Sequence, residues 1–244
     1  MSDMNISIPA GEKKRLLTGG KYCPDDIVVE AEGGDTDAAF EAGRQAEYDA
    51  FWDAFQRNGE EYLYYGYAFA SPDLWTQEVI NKIKYKHLKA NYFSVVFTGN
   101  TSVRDLSAFS FEAAKSRIGL SATFSGCTNL ERCMAINCDY VYEFYANTFQ
   151  NCTKMYELLL SGEFVRTGIN TSWSPLNKPS LVSIINALSL EPNYVAAGNI
   201  ITLRLSSVNA AFETSPGAND GAESTEWLDL VATKPMWTIN LIDS

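Results

Sequence analysis

Apolar positions recur along this chain at three spacings, and each predicts a different element. The longest is 25 residues: Phe124, Cys127, Thr128 and Leu130 return as Phe149, Cys152, Thr153 and Met155, with Thr123 and Thr148 in step before them. An earlier stretch, Phe97, Asn100, Thr101 and Val103 followed by Leu106, repeats the pattern with asparagine in place of cysteine. A fixed period of about 20–30 residues predicts a solenoid, whose coils bury their apolar faces only against one another. The repeats run from Phe93 to Phe164. In each coil a turn or loose helical segment carries Phe and Cys inward. A short strand such as Tyr156 to Leu160 follows.

Alternation with a period of two predicts strands. Asn5-Ile6-Ser7-Ile8-Pro9 alternates polar and apolar, Gly19-Gly20 marks a turn, Asp26 to Glu30 reads as a second short strand, and Gly33-Gly34 ends the unit. Ile200 to Leu205 and Trp237 to Ile242 are further strands. A helical period runs from Thr36 to Arg57, with Asp35 or Thr36 as its cap and Asn58-Gly59 as its stop. Phe40, Tyr48, Phe51, Trp52 and Phe55 form one arc of that helix, while Ala39, Gly43, Ala46, Ala50 and Ala54 form a small-residue stripe opposite. The arc is too apolar for water and predicts docking on the rest of the fold. The stripe leaves open self-association with another copy through the helix at 36–57.

Tyr62 to Tyr67 is too aromatic for a solvated loop and suits a capping strand. Lys82, Lys84 and Lys86 alternate with Ile83 and Tyr85, and Lys89 follows; this predicts the solvated face of an edge strand, with an anion site as the alternative. Trp173 to Leu176 leads into a helix at Pro179 to Leu188, Glu213 to Ser224 reads as an exposed loop, and Glu226 to Ala232 as a short helix. The chain thus divides into a small N-terminal β unit (1–34), an amphipathic helix (35–59), a repeat body (60–205) and a C-terminal cap (206–244).

The formal net charge of -11 over 244 residues argues against nucleic acid and anionic membrane as partners, since both need a basic footprint. No apolar run reaches the roughly 18 residues of a membrane span. Met1 to Lys14 lacks the apolar core of a secretory leader. The expectation is a chain that stays cytoplasmic until lysis or is virion-associated; the cell surface is the alternative if a signal was removed. Cys23, Cys127, Cys133, Cys138 and Cys152 include no C-x-x-C. With His87 the lone histidine, a zinc site is poorly supported. Cys127 and Cys152 should stack on adjacent coils, as buried thiols or as a disulfide.

No motif specifies catalysis or a cofactor. His87 has no nucleophile elbow near it, and Gly19-Gly20 lacks the continuation of a phosphate loop. Asp25-Asp26 and Glu60-Glu61 read as solvated turns rather than a glycosidase pair, and Asn219-Asp220 is at most a weak calcium signal. The expectation is a protein that is not an enzyme. Tyr140, Tyr142 and Tyr145 are the candidate binding residues. Tyr140 and Tyr142 would share one face of a strand, either as a wet platform for a sugar ring or protein partner, or as core filler.

The Phe-x-x-Cys-Thr-x-Leu pattern of Phe124 to Leu130 and Phe149 to Met155 resembles the BspA-type leucine-rich repeat. The segment Leu17 to Val29, with the acidic aromatic helix after it, is similar to tail-associated proteins of phages and prophages of gut Firmicutes. The resemblance implies a mixed α/β solenoid of irregular leucine-rich-repeat-like coils. It also implies a phage- or prophage-encoded binding or structural protein that recognises a protein or cell-surface glycan. A bacterial surface adhesin module is the alternative, and a glycosidase-class enzyme a remote one.

Overall fold

The computed structural model describes residues 5–7, 13–15, 69–73, 75–82, 86–90, 93–113, 117–163, 168–190 and 199–243. The turn at Gly19-Gly20, the strand Asp26 to Glu30, the helix at 36–57 with its aromatic arc and small-residue stripe, Tyr62 to Tyr67, Lys84 and Cys23 lie outside the described residues. At the N-terminus β1 (Asn5–Ser7) pairs antiparallel with β2 (Lys13–Arg15). There follow α1 (Gln77–Lys82), β3 (His87–Ala90), β4 (Ser110–Ala113), β5 (Ile118–Leu120) and β6 (Ile136–Asn137). A 3-10 helix, Cys138–Tyr140, leads into β7 (Val141–Phe144), and β8 (Leu160–Ser161) comes before α2 (Lys178–Ala187). The chain continues with β9 (Ile200–Arg204), α3 (Leu205–Ala211), α4 (Thr225–Ala232) and β10 (Thr238–Ile242).

The expected mixed α/β solenoid of leucine-rich-repeat-like coils is corrected by this arrangement. Among the described residues no solenoid is evident. The strands associate only in separate two-stranded sheets, β1–β2 antiparallel and β3–β4, β5–β7, β6–β8 and β9–β10 parallel. The physical reasons are local. The strands are two to five residues long, a register shift interrupts β5–β7, and hydroxyls of α2 take the place of a strand beside β8. The peptide N–H of Leu158 donates to Ser180 Oγ at 2.9 Å and that of Leu160 to Ser183 Oγ at 3.2 Å. Of the lysine cluster, Lys82 is corrected, since it ends a helix and pairs with Glu78 at 3.1 Å, whereas Lys89 lies on β3.

The recurring turns nevertheless meet. Phe97 and Phe124 stack at 5.6 Å between ring centres, and Phe124 and Phe149 at 5.5 Å with parallel planes. Phe69 extends the column, 4.9 Å from Phe97. Each turn hangs on the next through the backbone: Phe69 N–H donates to Val96 O, Phe97 N–H to Thr123 O and Phe124 N–H to Thr148 O. All four rings are buried in one continuous core that extends to Trp237. One turn position is left-handed in all three repeats, at Gly99 (φ 75°), Gly126 (φ 76°) and Asn151 (φ 61°), and a second is left-handed in the first two, at Val95 (φ 56°) and Ala122 (φ 49°). Glycine and asparagine adopt this conformation at the least cost, which suits the position shared by all three. Gly126 is also tightly approached, because a Cβ there would sit 3.3 Å from Gly99 Cα.

In the C-terminal region the expected elements at Pro179–Leu188, Ile200–Leu205, Glu226–Ala232 and Trp237–Ile242 occur within a residue or two of their bounds. Asn177 caps α2 by accepting from Ser180 N–H, and Ser224 caps α4 by accepting from Trp227 N–H.

Candidate ligand-binding site

β7 carries the tyrosines on an irregularity. Ile118 is opposite Val141, but Gly119 is opposite Glu143, so Tyr142 is the extra residue of a bulge. A bulge re-aims side chains. Here two consecutive residues, Tyr142 and Glu143, are half-buried between the buried Val141 and Phe144. Tyr145 follows and is held by a buried threonine: its N–H donates to Thr148 Oγ1 at 3.0 Å, and its carbonyl accepts from Thr148 N–H at 2.9 Å. Thr148 Oγ1 in turn donates to Leu120 O.

The two hydroxyls, Tyr142 Oη and Tyr145 Oη, are 3.4 Å apart. Both rings lie over Gly119. A Cβ at that position would be 2.8 Å from Tyr142 Oη and 2.9 Å from Tyr145 Cε2. The missing side chain of Gly119 is what lets two aromatic rings rest on the strand. Tyr145 is pushed above the ordinary phenol range by its hydrogen bond with Tyr142, by burial and by the neighbouring Glu143 carboxylate. The site presents two phenol rings beside one carboxylate, an arrangement for stacking against a ring and accepting hydrogen bonds.

Tyr140 does not belong to it. It ends the 3-10 helix and packs partly against the core rather than sharing a strand face with Tyr142. The structure brings together Tyr142 and Tyr145, and adds Glu143, the repeat residue Thr148, and Gly119, which the sequence reading did not single out. Gly119 had a signal: a glycine between Ile118 and Leu120, inside a short apolar run, marks close approach.

The other candidates are placed elsewhere. His87 Nδ1 is 2.8 Å from Ser110 Oγ, and Lys86 donates to Asn81 O at 3.1 Å. Asp220 is engaged by Thr214 through both N–H and hydroxyl, which draws its carboxyl below the usual range. Cys127, Cys133, Cys138 and Cys152 are free, buried thiols, so the disulfide alternative does not hold. Burial pushes Cys127 and Cys138 up to about 12, and raises Cys133 and Cys152 as well. Among the described residues no group of His, Cys, Asp and Glu is placed to hold a metal ion, and no helix is long and apolar enough to cross a membrane. Comparison of the chain with family models, with curated proteins and with solved structures found no match.

Proposed function

We propose that this chain is a non-enzymatic binding or structural protein, phage- or prophage-encoded, that recognises a protein or cell-surface glycan through Tyr142 and Tyr145. The observation that carries the reading is the tyrosine pair resting on Gly119 with Glu143 beside it. Aromatic faces stack on the C–H face of a sugar or on an apolar side chain, while the hydroxyls and the carboxylate fix orientation. The pair is held by a bulge and a buried threonine, so little freedom is lost when a ligand arrives. The phage assignment is supported by the similarity of Leu17 to Val29 to tail-associated proteins.

A panel of immobilised bacterial surface glycans and host-envelope proteins, probed with the chain and with Tyr142→Ala and Tyr145→Ala, tests the binding site. Loss of retention in both variants is expected; retention unchanged in either removes the tyrosines from the reading. The genes beside this one test the biological assignment, with tail or lysis genes expected and a metabolic operon overturning it.

A further inference from the structure

A second site stands apart from the tyrosines in composition and chemistry. A cleft of about 550 Å3 opens where the segment leading into α2 meets the start of α3. Leu176 and Ala210 supply apolar wall, and Lys178, Arg204 and Ser206 bring polar groups to it. The volume lies within the ordinary range of small-ligand sites. Two cations share this cleft in a chain of formal net charge -11.

Among the described residues both cations have fixed partners, and neither is saturated by them. Lys178 Nζ is 2.7 Å from Glu226 Oε2 and 4.8 Å from the centre of the Phe212 ring. An ammonium has three protons to donate, and Glu226 takes one. Arg204 donates from Nε to Ser206 Oγ at 3.0 Å, and the same nitrogen lies 3.7 Å from Asp243 Oδ1. Asp243 Oδ1 also accepts from the Ser206 hydroxyl at 2.7 Å and from its N–H at 3.0 Å. Arg204 therefore engages the described residues through Nε alone. Its two terminal nitrogens, the fork that matches carboxylate and phosphate oxygens, bond to none of them. The N-terminal end of the ten-residue α2 adds a field of the same sign.

We propose that this cleft binds a small anion-bearing ligand, a carboxylate or phosphate carried on a sugar-sized body. The anionic group is gripped by Lys178 and Arg204, and the body lies against Leu176 and Ala210. Glu226 and Asp243 position the cations and also compete with the ligand for them.

The test is amide chemical-shift titration of the full, 15N-labelled chain with galacturonate, glycerol 3-phosphate and neutral galactose. Shifts confined to residues 176–178 and 204–211 are expected with an anion and absent with galactose. A response to galacturonate alone assigns a carboxylate source, and a response to glycerol 3-phosphate alone a phosphate source. Arg204→Gln and Lys178→Gln should each weaken binding roughly tenfold, the worth of a charge-assisted hydrogen bond. Glu226→Gln and Asp243→Asn should tighten it roughly two- to fivefold, because an exposed competing ion pair is removed. Asp243→Asn keeps an oxygen for Ser206, so this gain decides the matter even if Lys178→Gln does not fold. Tyr142→Ala should leave the titration unchanged, which separates this site from the tyrosine pair. No response to either anion, equal response to galactose, or binding unaffected by Arg204→Gln overturns the proposal.

Discussion

Asn100 and Cys127 occupy the same position of successive turns and do different work. Cys127 donates from Sγ to Phe97 O at 3.0 Å, and Cys152 likewise to Phe124 O at 3.1 Å, each closing one turn onto the last. Asn100 must hold an irregular incoming segment. Its amide donates to Phe69 O and Trp75 O, and its oxygen accepts from Ser102 N–H and Val103 N–H, all within a buried site. Asn100→Ala should therefore cost about 3 kcal/mol or more in urea unfolding, since several buried groups lose partners at once. Asn100→Cys should recover less than half of that, because a thiol offers one donor. Equal stability of wild type and Asn100→Cys would show that the amide is dispensable. The thiols give a pH signature. Cys127 titrates at about 12 when folded, against an ordinary value of 9.0. The folded pKa is the raised one, so this contribution is whole below pH 9 and is lost as pH rises toward 12. Stability measured across that window should fall less steeply for Cys127→Ala than for wild type, by about 1.4 kcal/mol per pH unit.

Short strands leave many unpaired edges, and here helices close them. The bridged column Asp105, Arg132 and Glu157 ends at Gln77 of α1, whose Oε1 accepts from the Arg104 and Asp105 N–H groups and whose Nε2 donates to Asp105 O. At the other end the first two turns of α2 offer Ser180 and Ser183. Covered edges do not template aggregation. Ser180→Ala with Ser183→Ala should cost about 2–3 kcal/mol, as two inward-facing amides lose acceptors. Hydrogen exchange should rise first at Leu158 and Leu160; exchange unchanged there would mean that the hydroxyls are not the acceptors. The bulge makes a second prediction. Gly119 has no left-handed backbone, so alanine fits its conformation, yet the new Cβ must displace both tyrosine rings. Gly119→Ala should alter the tyrosine near-ultraviolet circular dichroism and abolish retention on the ligand panel, at a stability change under about 1 kcal/mol. Unaltered dichroism would place the rings elsewhere.

Across the whole molecule, what could be read in advance was what equal residues reveal. The Phe and Cys period identified which side chains meet, and alternation located β9 and β10. Phe69 was not legible, because the residues after it lack the Cys-Thr turn and only the backbone bond to Val96 O shows the equivalence. Leu205 read as the last residue of the strand from Ile200, yet it opens a helix, Leu205–Ala211, that the sequence reading did not foresee. The tyrosine site depended on a register shift that no spacing announces. How the C-terminal region joins the stacked turns was also illegible, since side chains donating to distant carbonyls make the joint. Lys234 Nζ donates to Asn186 O at 3.0 Å and Leu188 O at 2.5 Å, and Trp237 Nε1 to Ser189 O at 2.8 Å. Thr202 N–H reaches Ile169 O at 3.0 Å, and Thr171 N–H reaches Thr202 O at 2.9 Å. With one core running from Phe69 to Trp237, the stack and the C-terminal region should unfold together. Trp237→Phe keeps most of the ring but removes the indole N–H that donates to the Ser189 carbonyl, at about 1–2 kcal/mol. In calorimetry it should lower one shared transition by about 2–4 °C per kcal/mol, without splitting it. Trp237→Ala, which also opens a cavity, should cost about 3–5 kcal/mol. Two transitions, of which only one responds to Trp237→Phe, would show that the C-terminal region folds as a separate unit and that these bonds merely dock it.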